Sequence, residues 1–232
     1  MSNILTRLRE TPDLPIFPLP LILLPNELLP LHIFEDKYRQ MLRDIEKGGG
    51  FFGVTWFEPE NDFDEKPAVG TIGCVAEIKE TEPLGDGRAN ILALGLIRYR
   101  LLDYLSSDKP YLVAEVEYFE DDELDQNELQ PVSDQVFGLF ERLAKAAFRL
   151  SGGRGTLPEI DKAQPEALSF LITAAFNFEN EKKYEFLAET STVRRLQDLK
   201  LVLDQAVEKM EASAEIQAVA RTNGHRKAKI DL

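Results

Sequence analysis

Cysteine and histidine are nearly missing from this chain of 232 residues, which has one Cys and two His. A single thiol, Cys74, excludes an internal disulfide, and with only His32 and His225 beside it no thiolate and imidazole cluster for zinc can be assembled. A serine or cysteine nucleophile is equally short of a base, since only His32 lies in a segment with the pattern of an ordered element. Basic charge is scarce as well: 27 Lys and Arg stand against 41 Asp and Glu, for a net charge of −14. Nucleic-acid affinity depends on Lys and Arg displacing counterions, so this balance argues against DNA and RNA as partners. The short basic cluster around His225 (Arg221, Arg226, Lys227, Lys229) reads as a solvated end. No signal peptide is expected, because the opening residues are too few and too charged and no small-residue cleavage site follows. A membrane span is lacking too. The stretch that invites that reading, from Leu14 onward, carries proline at 15, 18, 20 and 25, each removing a donor that a lipid-embedded helix must satisfy internally. The chain is expected to be cytoplasmic, with no membrane partner.

What is present is the composition of a globular protein, 44% hydrophobic, enough for one large core or two modest ones. The proline-rich stretch predicts short extended pieces along a sheet edge, turning at Pro25-Asn26, with helix beginning only after Phe34. Tyr38, Met41, Leu42 and Ile45 mark an amphipathic helix near 35–47, ended by three glycines. Strands follow at 51–57, 68–79, 88–102 and 111–119, the middle two joined by the Gly85-Asp86-Gly87 turn. An acidic stretch running to Pro131 marks a boundary, and beyond it the period changes from two to about 3.6. Val136, Phe140, Leu143, Ala147 and Leu150 predict one helix, residues 165–178 a second that is apolar on most sides, and 180–189 a shorter third. Ser191 is the expected cap of a last helix along Val193, Leu196, Leu199, Leu203, Val207 and Met210. The fold class is therefore α+β: a β-rich lobe over 1–120, an acidic linker at 121–131, a C-terminal α-helical bundle over 132–212 and a flexible tail at 213–232.

Chemistry is hard to find in this pattern. Gly152-Gly153-Arg154-Gly155-Thr156 lacks the lysine of a phosphate-binding loop and follows a helix instead of a strand. Cys74 sits in an apolar strand and reads as a buried, inert thiol, while His32 reads as a hydrogen-bonded structural residue. Asp62, Asp64, Asp121 and Asp122 read as solvated loop charges. No catalytic residue, metal ligand or cofactor site is assigned. Glu35 and Arg98, charged groups in otherwise apolar segments, are expected to form a structural pair that locks the first helix onto the sheet.

The run from Leu14 to Met41, LPIFPLPLILLPNELLPLHIFEDKYRQM, resembles the opening of the Lon protease N-terminal (substrate-binding) domain. The resemblance recurs in order at Val69-Gly70-Thr71-Ile72-Gly73-Cys74, at Gly95-Leu96-Ile97-Arg98-Tyr99-Arg100 and at Tyr111-Leu112-Val113-Ala114-Glu115-Val116. It extends less specifically to Arg195-Leu196-Gln197-Asp198-Leu199. It implies that the β lobe is curled, barrel-like and PUA-like, and that the chain is a stand-alone bacterial-type member without ATPase or protease domains. It further implies a non-catalytic protein- or peptide-binding module, an adaptor or holding factor in protein quality control. Its partners would be unfolded or tagged polypeptides and a separate protease. Candidate peptide-binding residues are Leu28, Leu29, Leu31, Phe34 and Phe51, whereas Phe52 and Trp56 are expected in the core. The alternatives are an RNA-binding PUA-like protein and, behind it, a hydrolase.

Overall fold

The computed structural model describes Leu5, Arg7, Leu8 and residues 13–59, 66–122, 126–151 and 160–224. The chain divides into two compact units, one comprising Met1–Asp122 and Thr173–Thr190, the other Glu123–Ile172 and Ser191–Leu232. The Gly152 loop, Asp62, Asp64 and the basic cluster from His225 onward lie outside the described residues.

The first unit is built on β1 (Leu14–Leu19), β2 (Leu28–Ile33), β3 (Phe51–Trp56), β4 (Ile72–Pro83), β5 (Ala89–Tyr104) and β6 (Leu112–Phe119), with α1 (Asp36–Ile45) after β2. The strand order is β2-β5-β4-β3-β1-β6, and β6 pairs again with β5. Five strands therefore form a closed, barrel-like ring, and β2 is an appendage on its outside. The length of β5 makes this possible. Its first half pairs with β2, its second half with β6, and register shifts at Cys74/Ala76, Ile78/Glu80 and Leu101/Asp103 add the local bend that curling requires. The pairings are antiparallel except that of β1 with β3, which is parallel. Leu8, Leu14, Ile16, Phe51, Val75, Ile97, Tyr99 and Leu101 fill the interior. Gly73 leaves room for the Tyr99 ring, since a Cβ there would lie 2.5 Å from the phenol oxygen.

The proline-rich β1 is not at an edge as its composition suggested. It is flanked by β6 and β3, and the two pairings are staggered: Leu14, Pro15 and Ile16 face β6, while Ile16 to Leu19 face β3. Only Ile16 has a neighbour on both sides. Pro15 and Pro18 each fall where the strand has one partner, so a missing amide need not break a ladder.

The expected Glu35–Arg98 pair does not form. Glu35 is exposed at the start of α1, 3.4 Å from Lys37. Arg98 is 1% exposed and is ion-paired to Asp121, itself 7% exposed, while its guanidinium donates to the carbonyls of Leu187 at 3.1 Å and Glu189 at 2.8 Å. Asp122 adds a backbone bond to the Thr190 carbonyl and accepts from the Thr190 hydroxyl at 2.8 Å. The first two acids of the supposed linker are thus fastened inside this unit. The same contacts explain why 173–190, predicted for the helical lobe, belongs here. Its α4 (Asn180–Ala188) buries Phe186 and Leu187, and the Tyr184 hydroxyl accepts from the Ile72 amide at 2.9 Å.

The second unit contains α2 (Gln126–Leu150), most of α3 (Pro165–Ala175) and α5 (Thr192–Gly224). The first helix begins before Pro131 and carries it in its second turn, where a missing amide costs one bond near the helix start. Its buried apolar positions among the described residues are Leu129, Val136, Leu139 and Ala146, and not the expected Ala147, which is exposed. Leu196, Leu199, Leu203 and Val207 of α5 are buried as their spacing predicts. Ser191 caps that helix, its hydroxyl accepting from the Arg194 amide at 3.3 Å. A buried cation appears here too: Arg195 lies over the Phe170 ring, 4.2 Å from its centre, and donates to the Ser169 hydroxyl at 3.0 Å. The predicted tail is helical as far as Gly224, because 211–223 contains neither glycine nor proline to stop it. Among the described residues no helix is long and apolar enough to cross a membrane.

Replacing Arg98 by alanine strands the buried Asp121 carboxylate and should cost about 3–5 kcal/mol in chemical denaturation, whereas Glu35→Ala should stay within about 0.5 kcal/mol. Equal losses for the two would refute this division of roles. Gly95→Ala would put its Cβ 2.2 Å from the Leu24 carbonyl oxygen, and a loss of about 1–3 kcal/mol is expected from the same measurement.

Candidate functional site

Strand β2 is held at both ends by the motif residues around it. At its start, the Pro25-Asn26 turn places Asn26 in the left-handed region at φ 66°, tolerated by asparagine. Its amide donates to the Gly95 carbonyl at 2.8 Å, and the Gly95 amide donates to the Glu27 carbonyl at 2.9 Å. The Glu27 carboxylate accepts from the Leu24 amide at 2.9 Å. Burial holds this carboxyl above the usual carboxylate range, against the opposing pull of that amide and of Lys183. At the far end, Arg39 of α1 donates to the Gly87 carbonyl at 2.9 Å and pins the helix to the β4–β5 turn. The motif blocks that stand apart in the sequence, around residues 24–27 and at Gly95, therefore meet in space.

Between these anchors and among the described residues, β2 has a hydrogen-bonded neighbour on one side only, β5. Its side chains alternate. Ile33 is buried, with Leu29 and Leu31 half-buried on the same face, while Leu28, Pro30 and His32 are exposed on the other. Leu28 is 56% exposed and Phe34, just past the strand, 59%. The His32 and Phe34 rings stack 5.9 Å apart, so the exposed stripe continues through Phe34. Cross-strand register adds Leu94 opposite Leu28 and Leu92 opposite Pro30, both half-buried. The result is an apolar platform on a free sheet edge.

The sequence-predicted residues divide on this geometry. Leu28 and Phe34 share the exposed face, Leu29 and Leu31 point to the other, and Phe51 is not at the surface at all. It is 3% exposed, packed in the barrel interior with the Arg7 guanidinium 4.7 Å from its ring centre. β3 is a wall strand of the ring paired on both sides, and the Phe51 side chain points into the interior cluster, which is why it is core. Phe52 is buried as expected, and Trp56 is half-buried against Tyr184, donating to Glu58 at 3.1 Å. Pro30, Leu92 and Leu94 were missed. The period-two pattern of β2 carries the signal for Pro30, but the pairing that brings the two leucines beside it is not written in any local window.

The polar candidates have structural partners. His32 Nδ1 donates to the Asn90 side-chain oxygen at 2.8 Å, and the Asn90 amide donates to Glu82 at 3.0 Å. Cys74 is fully buried, and desolvation pushes its thiol up to about 12. In the second unit a shallow cleft of about 440 Å³ is lined by Gln135, Leu139, Arg142, Lys200 and Asp204. Its cations are paired, Arg142 with Glu211 at 2.9 Å and Lys200 with Asp204 at 3.6 Å. Among the described residues no group of three His, Cys, Asp or Glu side chains is placed to hold a metal ion.

Residues 13–205 match the family model of the ATP-dependent protease La (LON) substrate-binding domain. The chain belongs to that family. Curated relatives include Lon proteases from Flavobacterium johnsoniae, 24% identical over 213 residues, and from Endomicrobium trichonymphae, 25% identical over 209 residues. The alignments cover 90% and 89% of this chain but 26% of each relative, so the chain spans about a quarter of their length. Two solved structures share the fold, each with a TM-score of 0.59. One is a Lon N-terminal domain protein from Xanthomonas campestris, 24% identical, covering 81% of this chain and 96% of its own. The other is the N-terminal domain of Mycobacterium avium complex Lon protease, 19% identical, covering 84% and 98%. The sequence resemblance and the α+β, barrel-like class it implied are thereby established for this chain.

The buried, protonated Cys74 thiol generates a direct prediction. Native protein at pH 8 should resist a thiol-directed reagent for hours and react stoichiometrically once unfolded in guanidinium; rapid native labelling would contradict the burial.

Proposed function

We propose that this chain is a non-catalytic module that binds extended apolar segments of unfolded or tagged polypeptides. In this reading it acts in the cytoplasm as an adaptor for a separate protease or as a holding factor in protein quality control. The observation that carries the reading is the exposed stripe of Leu28, Pro30 and Phe34 on the free edge of β2, in a chain whose family is defined by substrate binding.

An extended peptide presents alternate side chains to one face, the same period as the stripe. Covering an exposed leucine and phenylalanine removes apolar area from water without any need to open the barrel. Pro30 contributes no amide to the strand, which limits continuous pairing and leaves side-chain packing as the larger share of the contact. Recognition of this kind tolerates many sequences. The buried Cys74 and the amide-engaged His32 support a role without a nucleophile and base, and no proteolytic step is assigned to this chain.

Changing Leu28 and Phe34 together to serine should weaken binding of a fluorescein-labelled peptide with alternating apolar residues by about tenfold or more, with the melting temperature unchanged, since both side chains are exposed. Anisotropy titrations would read the change. Unaltered affinity in the double variant would remove the stripe from the binding face.

A further inference from the structure

The apolar platform has a charged border. On the face that carries Leu28, Pro30 and His32, register places Leu94, Leu92 and Asn90 on β5, and beyond them Glu77, Glu80 and Glu82 on β4. Glu77 is neutralised by Arg7 at 3.0 Å and by Lys79. Glu80 and Glu82 are different. Both are exposed, and among the described residues neither is ion-paired; Glu82 accepts from the neutral Asn90 amide, which with His32 holds it in place. Two strand spacings separate this row from β2, about 10 Å, so a peptide lying over the platform comes within a Debye length of both carboxylates.

Resting on the peptide-binding reading above, we infer that the segment this face takes is apolar and flanked by lysine or arginine. Two exposed carboxylates beside an apolar surface, without a cation partner among the described residues, attract a positively charged flank and repel an acidic one, which sets the choice among apolar segments. Because the carboxylates face solvent, the preference is modest and salt-sensitive, about three- to tenfold at low ionic strength.

The test uses the full chain and two fluorescein-labelled synthetic peptides with one alternating apolar core, flanked by lysine pairs in one and glutamate pairs in the other. Anisotropy at 50 and 300 mM NaCl should show about three- to tenfold tighter binding of the lysine-flanked peptide, with the gap closing at the higher salt. E80Q/E82Q should abolish the preference and keep affinity for the core. D198N/E208Q, which removes as much charge from exposed positions of α5, should leave the preference intact. If both peptides bind wild-type protein equally, or if the α5 variant removes the preference as fully as E80Q/E82Q does, the inference is overturned while the binding reading stands. If neither peptide binds, both fall. Self-association of the wild type that L28S/F34S abolishes would assign the face to a second copy of this chain and overturn the inference as well.

Discussion

A guanidinium without water must find acceptors, and in this chain Arg98 finds them in two stretches far from it in sequence. The Asp121 carboxylate follows the last strand of the barrel, and the carbonyls of Leu187 and Glu189, at the end of α4, lie 89 and 91 residues beyond Arg98. Alone, any one of these contacts would not offset the cost of burying the charge. Together they satisfy it, and in doing so they tie the end of the β6 connection and the returning helix to the strand that carries Arg98. β5 is also the strand that closes the ring and bears β2, so the platform rests on the same element.

Much of this architecture is legible in the sequence. Period-two alternation marks β6, helical spacing marks α1 and α5, and Ser191 announces the start of α5 by its chemistry. These signals are local, generated within one element. The place of β1 in the ring is not local: its partners are β3 and β6, the latter some hundred residues on, and composition alone points a proline-rich strand to an edge. Arg98 fails in the same way. The sequence says that a cation in an apolar strand needs a carboxylate, and the nearest motif acid is Glu35; the true partner lay in a stretch whose acidity looked like solvation.

The candidate face repeats this division. Leu28 and Phe34 can be named from the motif, because apolar residues beside proline in a short strand are poorly explained by burial. That Leu29 and Leu31 face the other way follows from the strand period, but only once the strand itself is known. Leu92, Leu94 and the glutamates join through register across two strand pairs, and Phe51 is excluded because its side chain is buried in the barrel interior. A pattern along one chain gives the period of a strand and not the identity of its neighbour. The residues that recognise a ligand on a sheet are mostly neighbours.

The division of the chain into interleaved parts also bears on how it is made. Residues 173–190 complete the barrel unit, yet they are translated after 123–172, which belong to the other unit. At a synthesis rate of 5–20 residues per second, roughly 5–20 s pass between the appearance of Arg98 and that of its last acceptor. Once β6 ends at Phe119 every strand of the barrel has been made, yet its buried cation does not have the carbonyls of Leu187 and Glu189 until some 70 residues later. The nascent barrel unit is therefore incomplete through the whole of that wait, and its stability arrives late, with a helix encoded beyond most of the neighbouring unit.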